Sequence, residues 1–202
     1  MAKVILKPVN RCVLSCTIKS VTPMIQHKWS EKAKEMMRLK HAGKKTKARE
    51  VRDPEAEFRE AAYLTDDGQF GLPGMGFKAA LITAAHKDIG VEKTLVRKAL
   101  FLRSSDSDKI LPMECDEPVM REDCVRVGAG SADLRYRPQF DSWKCHIEIE
   151  VDADLLTDAD VINLINRAGF GVGIGEMRPE KGGEYGRFEV DSDSPVSFGA
   201  EA

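Results

Sequence analysis

A chain of 202 residues with 42% hydrophobic and 32% charged residues can bury one core beneath a well-solvated surface, and no apolar run approaches the length of a membrane span. The opening "MAKVILKPVNRC" lacks the long apolar stretch and small-residue cleavage site of a secretory signal, so a cytoplasmic protein with no membrane partner is expected. The five cysteines are irregularly spaced and include no C-x-x-C pair, which argues against a disulfide framework and a zinc site; buried free thiols are expected, with no metal and no cofactor.

In chain order, Cys12, Leu14, Cys16 and Ile18 alternate with Val13, Ser15 and Thr17, the pattern of a half-buried strand. Residues 28–52 follow. They carry ten Lys/Arg against three Glu, a local charge of +7 in a chain whose net charge is −2, so the remainder is an acidic body of −9. Two readings compete for this segment: a solvated flexible loop, or an arm for a polyanion, since segregated positive charge is the footprint of phosphate binding. Its helical propensity breaks at Gly43, and "DPEAEFREAAYL" adds a short amphipathic stretch.

Phe77, Ala80, Leu81, Ala84 and Ala85 recur at helical spacing between an entrance at Pro73–Gly74 and a stop at Gly90. "LVRKALFLR" (95–103) reads as a second strand, and 104–130, rich in Asp, Ser, Pro and Gly, as an insertion with one short strand at most. "DLRYRPQFDSWKCHIEIEVD" reads as a hairpin whose second arm places Trp143, Cys145, Ile147, Ile149 and Val151 on one face. Thr157 and Asp160 then form a capping box for a helix with Val161, Leu164, Ile165 and Ala168 as its stripe and Gly169 as its left-handed stop. "GVGIGEMRPEKGGEYGRFEV" (171–190) closes in a short strand, and the last dozen residues read as a loose polar tail.

This order makes two βαβ units, hence an α+β fold: a ferredoxin-like or RRM-like βαββαβ antiparallel sheet with insertions. One domain is expected over 1–190, with an arm insertion at 28–60, a second insertion at 104–130, and a tail at 191–202.

The glycine stretch admits three readings. A dinucleotide loop would follow a strand and open a helix, and a Walker loop would end in G-K-[ST]; here a helix precedes and a strand follows, so both fail. A glycine-rich hairpin before an edge strand is the plain reading. The favoured reading is close backbone approach to a phosphate chain, with amides forming an anion-binding concavity and Arg178, Lys181 and Arg187 supplying charge.

These residues carry a family resemblance. The glycine-rich stretch with interspersed cations and a closing "GRF" resembles the C-terminal signature of the RAMP superfamily. "NRAGFGVGIG", the helix entrance "FGLPGMGFKAALITAA" with Lys78 at its basic position, and the insertion between the halves are similar to the RNA-backbone subunit of CRISPR effector complexes. The resemblance implies a distant stand-alone relative, phage-encoded or bacterial, whose subunits stack head to tail along a strand as a filament. RNA-cutting members of the family place an aspartate in the loop after the first strand; no residue between Ser20 and Trp29 matches it, so nuclease activity is not carried over.

The expected function is sequence-independent binding of single-stranded RNA or DNA by a homo-oligomer, with other nucleoprotein subunits as further partners. The expected contacts are Lys28, Trp29, Lys34, Arg38, Lys40, Lys44, Lys45, Lys47, Arg49 and Arg52 on the arm, Lys78 at the helix entrance, and Arg178, Lys181, Tyr185 and Arg187 in the loop. Trp29, Phe140 and Tyr185 are the stacking candidates, while Trp143 belongs to the core. No catalytic residue is expected. The runner-up is a metal-independent endoribonuclease with His27 as acid–base residue, and a third reading is an assembly subunit without a nucleic-acid role.

Overall fold

The computed structural model describes residues 6–44, 51–127 and 130–200. Its mixed α+β architecture has two antiparallel sheets. The strands are β1 (Arg11–Ser20), β2 (Met24–Ile25), β3 (Gly71–Pro73), β4 (Leu100–Leu102), β5 (Ile110–Cys115), β6 (Val119–Val127), β7 (Ser131–Phe140), β8 (Trp143–Asp152), β9 (Phe188–Val190) and β10 (Ser197–Ala200). The α-helices among the described residues are α1 (Glu31–His41), α2 (Pro54–Glu60), α3 (Gly74–Ile89), α4 (Lys93–Ala99) and α5 (Asp158–Arg167).

The main sheet is organised around β1 and β8, paired antiparallel from Arg11↔Asp152 to Lys19↔Lys144. The free edge of β8 takes β4 at one end and β5 at the other, with β3 beyond β5. The free edge of β1 takes β9 and β10 in the same way. The alternation of the two central strands puts Leu14, Cys16, Ile18, Cys145, Ile147, Ile149 and Val151 into one core with Phe77 and Leu81 of α3 and Val161 and Ile165 of α5. Trp143 is buried there too, tilted against Phe188. Cys16 and Cys145 behave as packing thiols; burial pushes Cys16 up to about 11 and Cys145 up to about 12.

The helix boundaries follow their local chemistry. Gly90 ends α3 at φ 70°, and the Thr157–Asp160 capping box opens α5. Gly169 does not stop α5. The chain continues as a π-helical turn, Ala168–Val172, and the left-handed residue is Gly173 at φ 70°.

Several expectations are corrected. Residues 95–103 are mostly helix: Val96 and Ala99 reach the core at i,i+3 spacing, and only Leu100–Leu102 extends. The 133–152 segment is two strands but no hairpin, because β7 pairs with β2 and β6 while β8 pairs with β1, β4 and β5. Asp141 and Ser142 have negative φ, so the two-residue link lacks the backbone of a tight hairpin turn and carries the chain from one sheet to the other. Residues 104–130 hold two strands rather than one short one: β5 joins the main sheet, and β6 forms a long hairpin with β7. The C-terminal segment is not loose either. Strand β10 pairs with β1, and Asp191, fully buried, accepts from Lys144 Nζ at 2.7 Å and lies 3.1 Å from Lys19 Nζ.

The second sheet, β2–β7–β6, carries α2 against β7. Among the described residues no helix is long and apolar enough to cross a membrane.

Candidate nucleic-acid interface

The two sheets meet where the chain leaves β2, and Gln26 fixes that junction. It is 1% exposed; its amide donates to the Gly71 carbonyl at 2.9 Å and its Oε1 accepts the Tyr63 N–H at 2.8 Å. The Lys28 N–H donates to the Ala61 carbonyl. With the backbone so tied, His27, Lys28 and Trp29 form one wall of a cleft of about 550 Å³. Ser30 then caps α1 by accepting the Ala33 N–H, so the helix starts at the rim. The opposite wall is the entrance of α3, with Pro73, Met75 and Gly76.

The glycine stretch supplies the third side. Gly175, at φ 78°, passes so close to β2 that a Cβ there would sit 2.4 Å from the Ile25 carbonyl oxygen. That approach lets the Glu176 N–H donate to Ile25 and brings Glu176 and Arg178 into the cleft. Three motifs far apart in sequence, the base of the basic arm, the helix entrance and the glycine loop, therefore line one concavity.

The lining joins flat apolar surface to charge. Trp29 is 57% exposed and Met75 65%. Lys28, Lys34 and Arg178 share the lining with Glu176 and Asp108. Lys34 is tied to Glu31, and Arg178 to Glu180 and the Gly175 carbonyl. Burial, and next the charge of Arg137, lower the pKa of His27, which holds the ring neutral. Burial raises the Tyr63 phenol. The larger cationic surplus lies on α1, which has no buried residue and adds Lys32, Arg38 and Lys40 above the rim. Lys44, just past its end, is exposed as well.

Of the expected contacts, Lys28, Trp29, Lys34 and Arg178 meet in this cleft, together with the runner-up His27. Lys45, Lys47 and Arg49 lie outside the described residues. The others are placed elsewhere. Arg52 buttresses the second sheet, donating to Glu57, Asp133 and the Leu134 carbonyl. Lys78 donates to the Arg97 carbonyl and covers the Phe101 ring at 4.5 Å; burial lowers its pKa, and it does not line the cleft. Phe140 is 1% exposed and meets Phe70 edge-on, so it is not a stacking surface. Tyr185 is engaged by Arg121. Arg187 lies over Phe170, and Lys181 is exposed on the loop.

The anion-concavity reading of the glycines is also corrected. The N–H groups of Gly173, Ile174, Glu176, Gly182, Gly183, Tyr185 and Gly186 all donate to carbonyls of the protein itself. Gly173, Gly175, Gly183 and Gly186 serve close packing instead. The residues that pattern missed, Gln26, Tyr63, Met75 and Glu176, are brought in by long-range contacts. Among the described residues no group of His, Cys, Asp or Glu is placed to hold a metal ion.

No protein-family model matches the chain, and no curated protein matches it. Among solved structures it is similar to a chain of the type III-B Cmr-beta complex bound to cognate target RNA, determined by cryo-EM, at 9% sequence identity and a TM-score of 0.47. The match covers 96% of this chain and 62% of that one, so the chain spans less than two thirds of the length of its structural neighbour.

Proposed function

We propose that this protein binds single-stranded nucleic acid, with an unpaired base against Trp29 in the cleft and the phosphate chain leading out along α1. One observation carries the reading: an exposed indole, Lys28, Lys34 and Arg178 converge in one concavity, and a cationic helix with no buried residue rises from its rim. Flat apolar surface flanked by cations is what a single strand requires. Every base offers a π-face, and stacking is worth about 1–3 kcal/mol per base whatever its identity. Backbone charge is met by lysine and arginine without reading sequence.

The strand order, with β9/β10, β1, β8 and β4/β5 side by side and α3 and α5 sharing one core face, supports a ferredoxin-like, RRM-like plan. The RAMP-like motifs point the same way. Head-to-tail assembly is proposed from charge layout: the acidic body offers a neighbour's α1 a complementary surface, and a contact that does not close on itself makes a filament. Electrophoretic mobility of labelled mixed-sequence RNA and DNA with wild type and Trp29→Ala tests the binding. Saturable retardation, weakened by the substitution, is expected; no retardation of either strand refutes it.

A second reading has its own support. His27 lines the same cleft with its pKa lowered, so at neutral pH it is unprotonated and able to accept a proton. A metal-independent ribonuclease would cut labelled RNA in chelator and lose that activity in His27→Ala.

A further inference from the structure

The glycine segment has a second concavity at its other end. Asp88 at the end of α3, Asn163, Asn166 and Arg167 of α5, and Phe170 and Gly171 of the π-helical turn line an open cavity of about 670 Å³. The turn explains its shape. Ala168, Gly169 and Val172 point into the core, which leaves Phe170 outside at 72% exposure. The turn is held in place by packing: a Cβ on Gly169 would lie 1.8 Å from the Phe188 carbonyl oxygen. Single π-helical turns are frequent at functional sites.

The surroundings of Phe170 select a ligand class. The Arg187 guanidinium lies 4.9 Å from the ring centroid, so a second planar group can stack on the other face. The Asn166 Oδ1 accepts the Val190 N–H at 2.9 Å, which fixes the side chain and leaves its NH₂ as a donor. Asn163 adds a second exposed amide, and Asp88 an acceptor. Arg167 has no ion pair among the described residues. A flat ring, amide donors and acceptors at its edge, and a free cation together match a nucleobase with its flanking phosphate. Side-chain contacts link this cavity to the cleft. Lys87, next to Asp88, donates to Glu180, which in turn accepts from Arg178 of the cleft. Arg187 is anchored through its N–H to Thr22, just before β2.

We infer that the Phe170 cavity is a second nucleobase subsite, taking an unpaired base of the same strand against Phe170 with Asn163, Asn166 and Asp88 at its edge. This rests on the single-strand reading above. The test is titration of mixed-sequence oligonucleotides carrying 2-aminopurine with wild type, Phe170→Ala and Phe170→Tyr, each checked by thermal melt. Wild type should quench the reporter. Phe170→Ala should keep the wild-type melting temperature, bind about ten-fold more weakly or worse and quench less, and Phe170→Tyr should restore both. On a strand made abasic throughout, wild type and Phe170→Ala should bind alike. If Phe170→Ala matches wild type in affinity and quenching, or if its defect persists on the abasic strand, the subsite is refuted while the cleft stands. If wild type binds no oligonucleotide, both fall.

Discussion

Arg121 and Tyr185 are joined twice: the guanidinium donates to the phenolic oxygen at 2.9 Å, and its carbon lies 4.9 Å from the centre of the same ring. The contact fastens the glycine loop to β6 of the second sheet. Arg121 is itself held by Asp123 and Gln139. Tyr185 thus works as a clamp, and its ring is already covered by a cation. Tyr185→Phe removes the hydrogen bond and keeps the cation–π contact, so it should cost about 1 kcal/mol in urea unfolding and change oligonucleotide affinity less than about two-fold.

The glycines of the loop should divide sharply on substitution. Gly186 has φ 70° and a Cβ there would lie 1.7 Å from the Ile174 carbonyl oxygen, whereas Gly182, at φ 81°, faces open space. Gly186→Ala should destabilise by more than about 3 kcal/mol, because backbone must move, and Gly182→Ala by only about 1 kcal/mol from conformational strain. Urea unfolding of the two variants checks this.

What the sequence makes legible is what depends on neighbours. The alternation in β1 and β8 and the stripes of α3 and α5 are visible because each element faces one core. Pairing choices are set at long range and leave no local mark. Nothing in "DSW" states that β7 and β8 belong to different sheets, and the C-terminal segment is kept by the pairing of β10 with β1, by the Asp191–Thr17 backbone bond and by two lysines distant in sequence. The same division holds at the site. Lys28 and Trp29 stand out by composition, but Tyr63 and Met75 enter only through the Gln26 hydrogen bonds and the helix entrance. Phe170 carried a faint signal: an aromatic between two glycines, just past the end of an apolar stripe.

Salt should weaken binding steeply. Contact with about five phosphates of a single strand implies a fall of roughly two decades in affinity between about 50 and 200 mM salt. Replacing Arg38, Lys40 and Lys44 by Ala should flatten that slope by about 0.7 per lost contact, equally on all sequences. Fluorescence anisotropy across a salt series measures both.

Acid should loosen the C-terminal segment. Hydrogen bonds from Lys144 and Lys19 hold the Asp191 carboxyl well below its ordinary value of 3.8. A depressed folded-state pKa means that its stabilisation is complete above the unfolded value and is lost as pH falls below it. Thermal melts of wild type should therefore drop from about pH 4 downward, and Asp191→Asn should begin less stable and show a shallower decline.

The central claim is that a single strand lies against Trp29 in the cleft between the two sheets. Trp143 is buried, so Trp29 is the indole that solvent and strand can reach. Titrating the protein with unlabelled single-stranded RNA and DNA while following tryptophan emission tests it most directly. The account predicts saturable quenching that disappears in Trp29→Phe, together with a loss of affinity in Trp29→Ala. Unchanged emission at saturating strand, or full affinity in Trp29→Ala, would contradict it.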